Sequence, residues 1–178
     1  MSDYSVVSRT TDLVFPFESH RISDYTAHPL WDESSIVHDI AVFEINTADR
    51  FDFDFPLKGI TLPSSWDAIV TGLYIRAAGW GATRKNTSNP YPVLAQIKIK
   101  VVEDSECPES QRNPDWTFCA ETCDDSGFCQ GDSGGHLVAY GSLVGIISRA
   151  KGCFKQENPV AHLDIIPYVE WIKKMMNQ

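Results

Sequence analysis

Short apolar runs set apart by polar turns recur along this chain, which is the pattern of a mostly β protein. Val6-Val7 begins one short strand. Ile40 to Ile45 (IAVFEI) is a stronger candidate, because its near-continuous apolar character suits a buried strand. Beyond Ser64, strand candidates follow at Ala68–Ile75, Leu94–Val102, Thr117–Ala120, His136–Ala139, Leu143–Ser148 and Pro159–Leu163. Six such strands would fill a small antiparallel barrel. The last segment changes period. Ile165, Ile166, Val169, Ile172 and Met176 recur at helical spacing, with Lys173 and Lys174 on another side. This predicts a C-terminal helix with a core-facing apolar stripe and Asp164 as its N-cap.

Residues 46–63 hold turn residues, two prolines (Pro56 and Pro63) and a Phe/Asp alternation over 51–55. They read as a surface connection between two domains, with the phenylalanines packed on the protein rather than forming an acidic docking strip.

Composition narrows the function classes. At 178 residues and 43% apolar content, the chain suffices for one or two small domains with a core. The 15 Lys+Arg against 24 Asp+Glu give a formal charge of −9, which disfavours nucleic-acid or anionic-membrane binding. No apolar run approaches the length of a membrane span. The start, Met1-Ser2-Asp3-Tyr4-Ser5, has neither the basic region nor the apolar stretch of a signal peptide. No metal-ligand constellation stands out, and no cofactor is implied. The cysteines nonetheless point to an extracellular protein: Cys107, Cys119, Cys123, Cys129 and Cys153 all lie in the C-terminal half, in positions that fit disulfides. Asn86-Thr87-Ser88 is an N-glycosylation sequon in a polar stretch.

The segment with most chemistry is Cys129-Gln130-Gly131-Asp132-Ser133-Gly134-Gly135. It presents a serine in a glycine-rich turn with backbone N–H groups on both sides, the setting of a nucleophile beside an oxyanion hole. This segment resembles the GDSGG motif of the chymotrypsin/trypsin family of serine proteases. Other segments resemble the family in its own order: His38-Asp39-Ile40-Ala41-Val42, Ala78-Gly79-Trp80-Gly81, Phe118-Cys119-Ala120, Leu143 to Ser148, and Pro167 to Met175.

The resemblance implies an all-β, chymotrypsin-like double β-barrel plus a C-terminal α-helix. Residues 64–178 would form the second barrel and helix. Residues 1–63 would be a remnant of the first barrel and the inter-barrel connection, because the match begins past the family's catalytic histidine. Ser133 would be the nucleophile and Asp39 would orient the histidine. The N–H groups of Gly131 and Ser133 would form the oxyanion hole. Ser148 would support Asp39. Asp132 would pair with an N-terminus released by activation, which this chain does not carry, or else need another partner. Disulfides are implied between Cys107 and Cys119 and between Cys129 and Cys153. Cys123 is left over and reads as a free thiol or an intermolecular link.

None of the five histidines stands in the family's Ala-Ala-His-Cys context. His38 adjoins Asp39, but neighbours on an extended segment point to opposite faces. His28 resembles a surface position, His20 lies on a polar strand approach, and His136 replaces a usual proline. His162 sits in a late strand where packing is its expected role.

Gly127 matches the base of the family's substrate pocket, where trypsin-like members have aspartate. Without that carboxylate, an Arg or Lys preference is not expected. Asp124 and Asp125 lie nearby but do not match that place. Phe128, Arg149, Ala150 and Val160 change the pocket walls and imply a narrowed pocket for small or medium apolar side chains. The expected function is a secreted serine endopeptidase acting through an acyl-enzyme. This chain alone would be inactive, its partners being a polypeptide substrate and a complementing N-terminal fragment. The alternative is a noncatalytic homologue that binds a protein partner.

Overall fold

The computed structural model describes residues 4–15, 18–46, 58–64, 69–82, 91–113, 115–124, 127–148 and 159–177. The chain divides into two units, Met1–Ile60 with Trp171–Gln178, and Thr61–Glu170.

In the first unit, β1 (Ser5–Ser8), β2 (Glu18–Ala27) and β3 (Ala41–Ile45) form an antiparallel sheet in the order β1-β2-β3. The strands expected at Val6-Val7 and after Ile40 are there. The burial expected for the second is not. Ile40 is buried, but no residue of β3 is, and Phe43 is 56% exposed. An apolar strand is buried only where another layer covers it, and local sequence does not supply that layer. Phe43 instead stacks on its cross-strand partner Tyr25, with ring centroids 6.0 Å apart. The buried positions of the three strands are polar: Ser8 and His20. Ser8 Oγ lies 3.0 Å from His20 Nε2, and Glu18 accepts from Ser8 and pairs with Arg9 at 3.3 Å.

The second unit is a closed barrel. β4 (Tyr74–Gly79), β5 (Ala95–Val101), β6 (Thr117–Thr122), β7 (His136–Ala139), β8 (Ser142–Ile146) and β9 (Val160–Asp164) run in the order β4-β5-β6-β9-β8-β7, with β7 closing onto β4. Alternation does the sorting. Ile75 and Ala77 of β4 point inward while Tyr74 and Arg76 face out; Leu137 and Ala139 do the same on β7. With Ile99, Val101, Phe118, Ala120, Phe128, Val144 and Ile147 they make the core. Five of the expected strands lie within two residues of their places. The one expected at 68–75 is displaced to 74–79, because Thr71-Gly72 forms a turn with Gly72 at φ 90°.

After β9, Asp164 Oδ1 accepts the Ile166 N–H at 2.9 Å, but Asp164 is the last residue of the strand; Ile165, not the expected Asp164, stands at the N-cap of the helical segment that follows, with no side-chain cap bond. A 3-10 turn at Ile166–Tyr168 leads into α1 (Val169–Met176). Ile165, Val169 and Ile172 are buried, but Met176, the last helical residue, is 70% exposed and leaves the expected stripe. Cys107 and Cys119 are disulfide-bonded. Cys129 is also disulfide-bonded. Its implied partner, Cys153, lies outside the described residues, as do the 51–55 alternation, Asn86, Asp125, Arg149 and Ala150. Cys123 is a free, exposed thiol.

Candidate active site

Ser133 sits exposed on the turn between Cys129 and β7. Two glycines shape that turn through positive φ, 97° at Gly131 and 81° at Gly134, where any other residue would be strained. Its far side is tied to the exit of β8: Gly134 donates to Ile147 O at 2.7 Å, and Ile147 donates to Gly135 O at 2.9 Å. Its near side is tied to the exit of β4 by Ala82 N–H to Gln130 O at 3.0 Å. Gly135 also donates to Asp132 O at 2.9 Å. The Ser133 hydroxyl and the N–H groups of Gly131 and Ser133 make no hydrogen bond among the described residues. That leaves an exposed hydroxyl and two uncommitted donors on one tight turn, the parts needed to attack a carbonyl and stabilise the resulting oxyanion.

Asp132 points the other way. Its Oδ1 accepts from Gly81 N–H and its Oδ2 from Cys129 N–H, each at 2.9 Å. The carboxylate fills a slot walled by Gly79 and Gly81, where a Cβ on either would overlap it. The Ala78-Gly79-Trp80-Gly81 segment resembles a family turn, but its role as a slot for Asp132 was not read from the sequence. The small-large-small pattern Gly79-Trp80-Gly81 was the available signal.

Gly127 is half-buried, whereas Phe128 and Val160 are 4% and 5% exposed. Phe128 belongs to the barrel core and meets the His162 ring in a T-shape, with centroids 5.1 Å apart. Phe118 lies on the same imidazole at 5.7 Å. Both ring nitrogens of His162 are buried without a hydrogen-bond partner, and burial lowers its pKa to about 4. His162 has the packing role expected of it. His136 is exposed on β7, opposite Ile146. Ser148 is half-buried just beyond β8, and Asp124 is exposed.

In the first unit, Asp39 is half-buried at the entry to β3. His38 is not extended. It adopts φ 56°, and Ile40 N–H reaches back to His38 O at 2.8 Å, making a tight turn around Asp39. The alternating-face argument for His38 and Asp39 therefore does not hold. His38 stacks on His28 at 4.7 Å, and His28 meets Trp171 edge-on at 5.0 Å. His28 is half-buried, not a plain surface residue. Desolvation, and then the neighbouring His38, lower its pKa. His20 is buried against Ser8. Among the described residues, no group of three His, Cys, Asp or Glu side chains is placed to hold a metal ion.

Comparison with known proteins gives the same picture. The trypsin family model matches residues 2–172. Trypsin eta of Drosophila melanogaster is 29% identical over 158 residues, which cover 86% of this chain and 59% of that protein. Trypsin II-P29 of Gallus gallus is 33% identical over 153 residues, covering 83% of this chain and 59% of that protein. The chain thus spans about three-fifths of the length of these relatives. Among solved structures, neuropsin, a serine protease expressed in the limbic system of mouse brain, matches 89% of this chain and 72% of its own, with a TM-score of 0.78 and 26% identity. These neighbours have the chymotrypsin-like fold, which here is one closed six-stranded barrel, a three-stranded second sheet and a short C-terminal helix. The chain belongs to the trypsin family of serine proteases.

Proposed function

We propose that this chain carries two members of a catalytic triad, Asp39 and the nucleophile Ser133, of a secreted serine endopeptidase. Peptide hydrolysis would pass through an acyl-enzyme on Ser133 Oγ, with the developing oxyanion held by Gly131 and Ser133 N–H and with Ser148 supporting Asp39. The observation that carries this reading is the exposed Ser133 with both turn donors uncommitted among the described residues. Residues 64–178 bear the nucleophile and the pocket; residues 1–63 bear the aspartate.

The general base is the missing part. His20 is engaged by Ser8, His28 and His38 stack on one another, His162 is sealed among aromatic rings, and His136 lies on a barrel strand. A serine hydroxyl is a weak nucleophile without a base to take its proton. We therefore assign the base to a histidine on a further, complementing N-terminal segment, and the 178 residues alone as inactive. The substrate is a polypeptide with a small or medium apolar side chain before the cut. Gly127 puts no carboxylate at the pocket base, and the resemblance places Phe128, Arg149, Ala150 and Val160 on its walls. Asn86 is proposed as a glycosylation site and Cys129–Cys153 as the second disulfide.

The test is labelling with a fluorophosphonate probe, read by mass spectrometry. The 178 residues alone should not label. Mixing them with a histidine-bearing N-terminal portion of a trypsin should give labelling that Ser133→Ala abolishes. Labelling of the chain alone at Ser133 would defeat the inactive assignment. Failure to label in any complemented form would favour a noncatalytic protein-binding homologue. That second reading is favoured by one observation, the burial of Phe128 against His162 where an open pocket would be needed.

A further inference from the structure

The connection between β2 and β3 brings two histidines together beside Asp39. Its base is tied by His28 N–H to Ile40 O at 2.9 Å, one step beyond the Ala27–Ala41 pair. Its middle is closed by a bridge between Asp32 and Val37, each donating to the other, at 3.2 and 3.3 Å. Ile40 N–H then reaches back to His38 O at 2.8 Å, so Asp39 stands at the centre of a γ-turn.

The side chains repeat that link. The imidazoles of His28 and His38 stack at 4.7 Å and 26°, and His28 meets the Trp171 ring edge-on at 5.0 Å. Trp171 belongs to the same unit as both histidines. His38 is buried at φ 56°, a conformation that persists only where the surroundings impose it. Leu30 N–H donates to His28 Nδ1 at 3.3 Å. A ring nitrogen accepts such a bond only while it carries no proton. Protonating His28 therefore ends that bond and sets a cation against the second imidazole.

We propose that His28 and His38 are positioning residues for Asp39: stacked and neutral they hold its γ-turn, and a proton on His28 releases it. They act through the turn and touch no reacting atom. The purpose of this device rests on the assignment of Asp39 to the triad. Desolvation, and then His38, hold the pKa of His28 below its ordinary 6.5. Protonation thus opposes the packing, and the turn loosens as pH falls from 6.5 toward that lower value. The other ionisable groups nearby in sequence are Asp39 beside His38, Asp32 and Glu33 in the connection, and Glu170, Lys173 and Lys174 on α1 around Trp171. The Asp32 carboxylate is taken up by the Ser34 and Ser35 hydroxyls. The charge that bears on His28 is that of His38.

An NMR titration of the whole 178-residue chain between about pH 7.5 and 5 reads this coupling without any hydrolysis. The His28 ring should titrate below 6.5, and the amides of Leu30, Asp39 and Ile40 and the Trp171 indole should move with the same midpoint. His38→Asn tolerates the positive φ but removes the stack. There His28 should titrate closer to 6.5, and Asp39 and Ile40 should no longer follow it. His28→Phe keeps an aromatic ring against His38 and Trp171 but carries no proton, so the transition at that midpoint should vanish from Leu30 and Ile40. A His28 midpoint at or above 6.5 in the unaltered chain, or Asp39 and Ile40 signals that ignore its titration, would overturn the proposal even if both variants failed to fold. With a complementing histidine-bearing portion, fluorophosphonate labelling should fall about a hundredfold per pH unit on the acid side, for two protons, and about tenfold in His28→Phe, for one. Equal acid slopes in the two proteins would overturn it as well. If the coupling holds by NMR and no complemented chain labels, only the reading of Asp39 as a triad member falls.

Discussion

His162 and Phe128 meet in a T-shape inside the barrel, ring centroids 5.1 Å apart at 74°, and the imidazole has no hydrogen bond on either nitrogen. Burial alone holds its pKa down at about 4. The folded state therefore keeps His162 neutral over a range in which the unfolded chain protonates it, near the ordinary value of 6.5. Its contribution is neutral above that value, turns against folding as pH drops through it, and is fully unfavourable below about 4. The shift corresponds to roughly 3 kcal/mol. Asp164 acts in the opposite sense. Burial raises its pKa, against the pull of the Ile166 N–H, so acid favours its folded form.

His162→Phe isolates the first effect. It removes the buried imidazole and should flatten the fall in stability between neutral pH and pH about 4 by roughly 3 kcal/mol. Denaturant melts of both proteins at several pH values give the comparison. An equal pH slope in the variant would mean that His162 is not the group responsible.

Gly145 makes a second prediction. In β8 it lies opposite Asp164 of β9, and a Cβ there would come within 2.8 Å of both Leu163 O and Phe118 Cε1. One neighbour is backbone and the other is a core ring, so neither yields cheaply. Gly145→Ala should cost about 1–3 kcal/mol by overpacking. Gly141, with nothing within 4 Å but φ 79°, tests backbone strain alone. A Gly145→Ala protein as stable as its parent would show that β8 and β9 can spread.

How far these sites could be read from sequence depends on the range of the interactions. The β5 to β9 strands were legible because their inward residues form short local apolar runs, whereas β4 begins six residues later than expected, beyond the Thr71-Gly72 turn. β2 was not, since ESHRISDYTA presents no apolar face and is a strand by pairing with β1 and β3 on its two sides. The Ser133 turn was legible from its glycines. The direction of Asp132 was not, because its bond to Gly81 joins residues 51 apart in sequence. His38 misled for a local reason: its positive φ breaks the extended geometry on which the face argument relied.

The Cys107–Cys119 bridge closes a short loop in the second unit, with a sequence separation of 12. Such a loop restricts the unfolded chain by about 3 kcal/mol on the loop-entropy account. Cys119 and Cys107 are nearly fully buried beside Val102 and Ala161, so serine would add a polar group to that cluster. The Cys107→Ala/Cys119→Ala pair is the cleaner test. It should lower the midpoint of barrel unfolding while leaving β1–β3 exchange unchanged. A loss confined to the first sheet would contradict the assignment of this bridge to barrel stability.

The two units should differ in local stability. The strands β1 to β3 bury only Ser8 and His20, both polar, and leave Tyr25 at 53% and Phe43 at 56% exposure. The barrel encloses a continuous apolar core with Ile75, Ile99, Leu137 and Val144 at 0% exposure. Buried apolar area dominates the free energy of local opening, and the sheet has little of it. A polar pair such as Ser8–His20 contributes only about 1 kcal/mol net. Amides of β1 to β3 should therefore exchange faster than those of β4 to β9, by about a hundredfold or more for comparable hydrogen bonds. Limited proteolysis at neutral pH should cut first within residues 4–46 and release a resistant fragment containing the barrel. Uniform protection of both units, with a single cooperative melt, would show that the sheet gains its stability from the barrel rather than from its own strands.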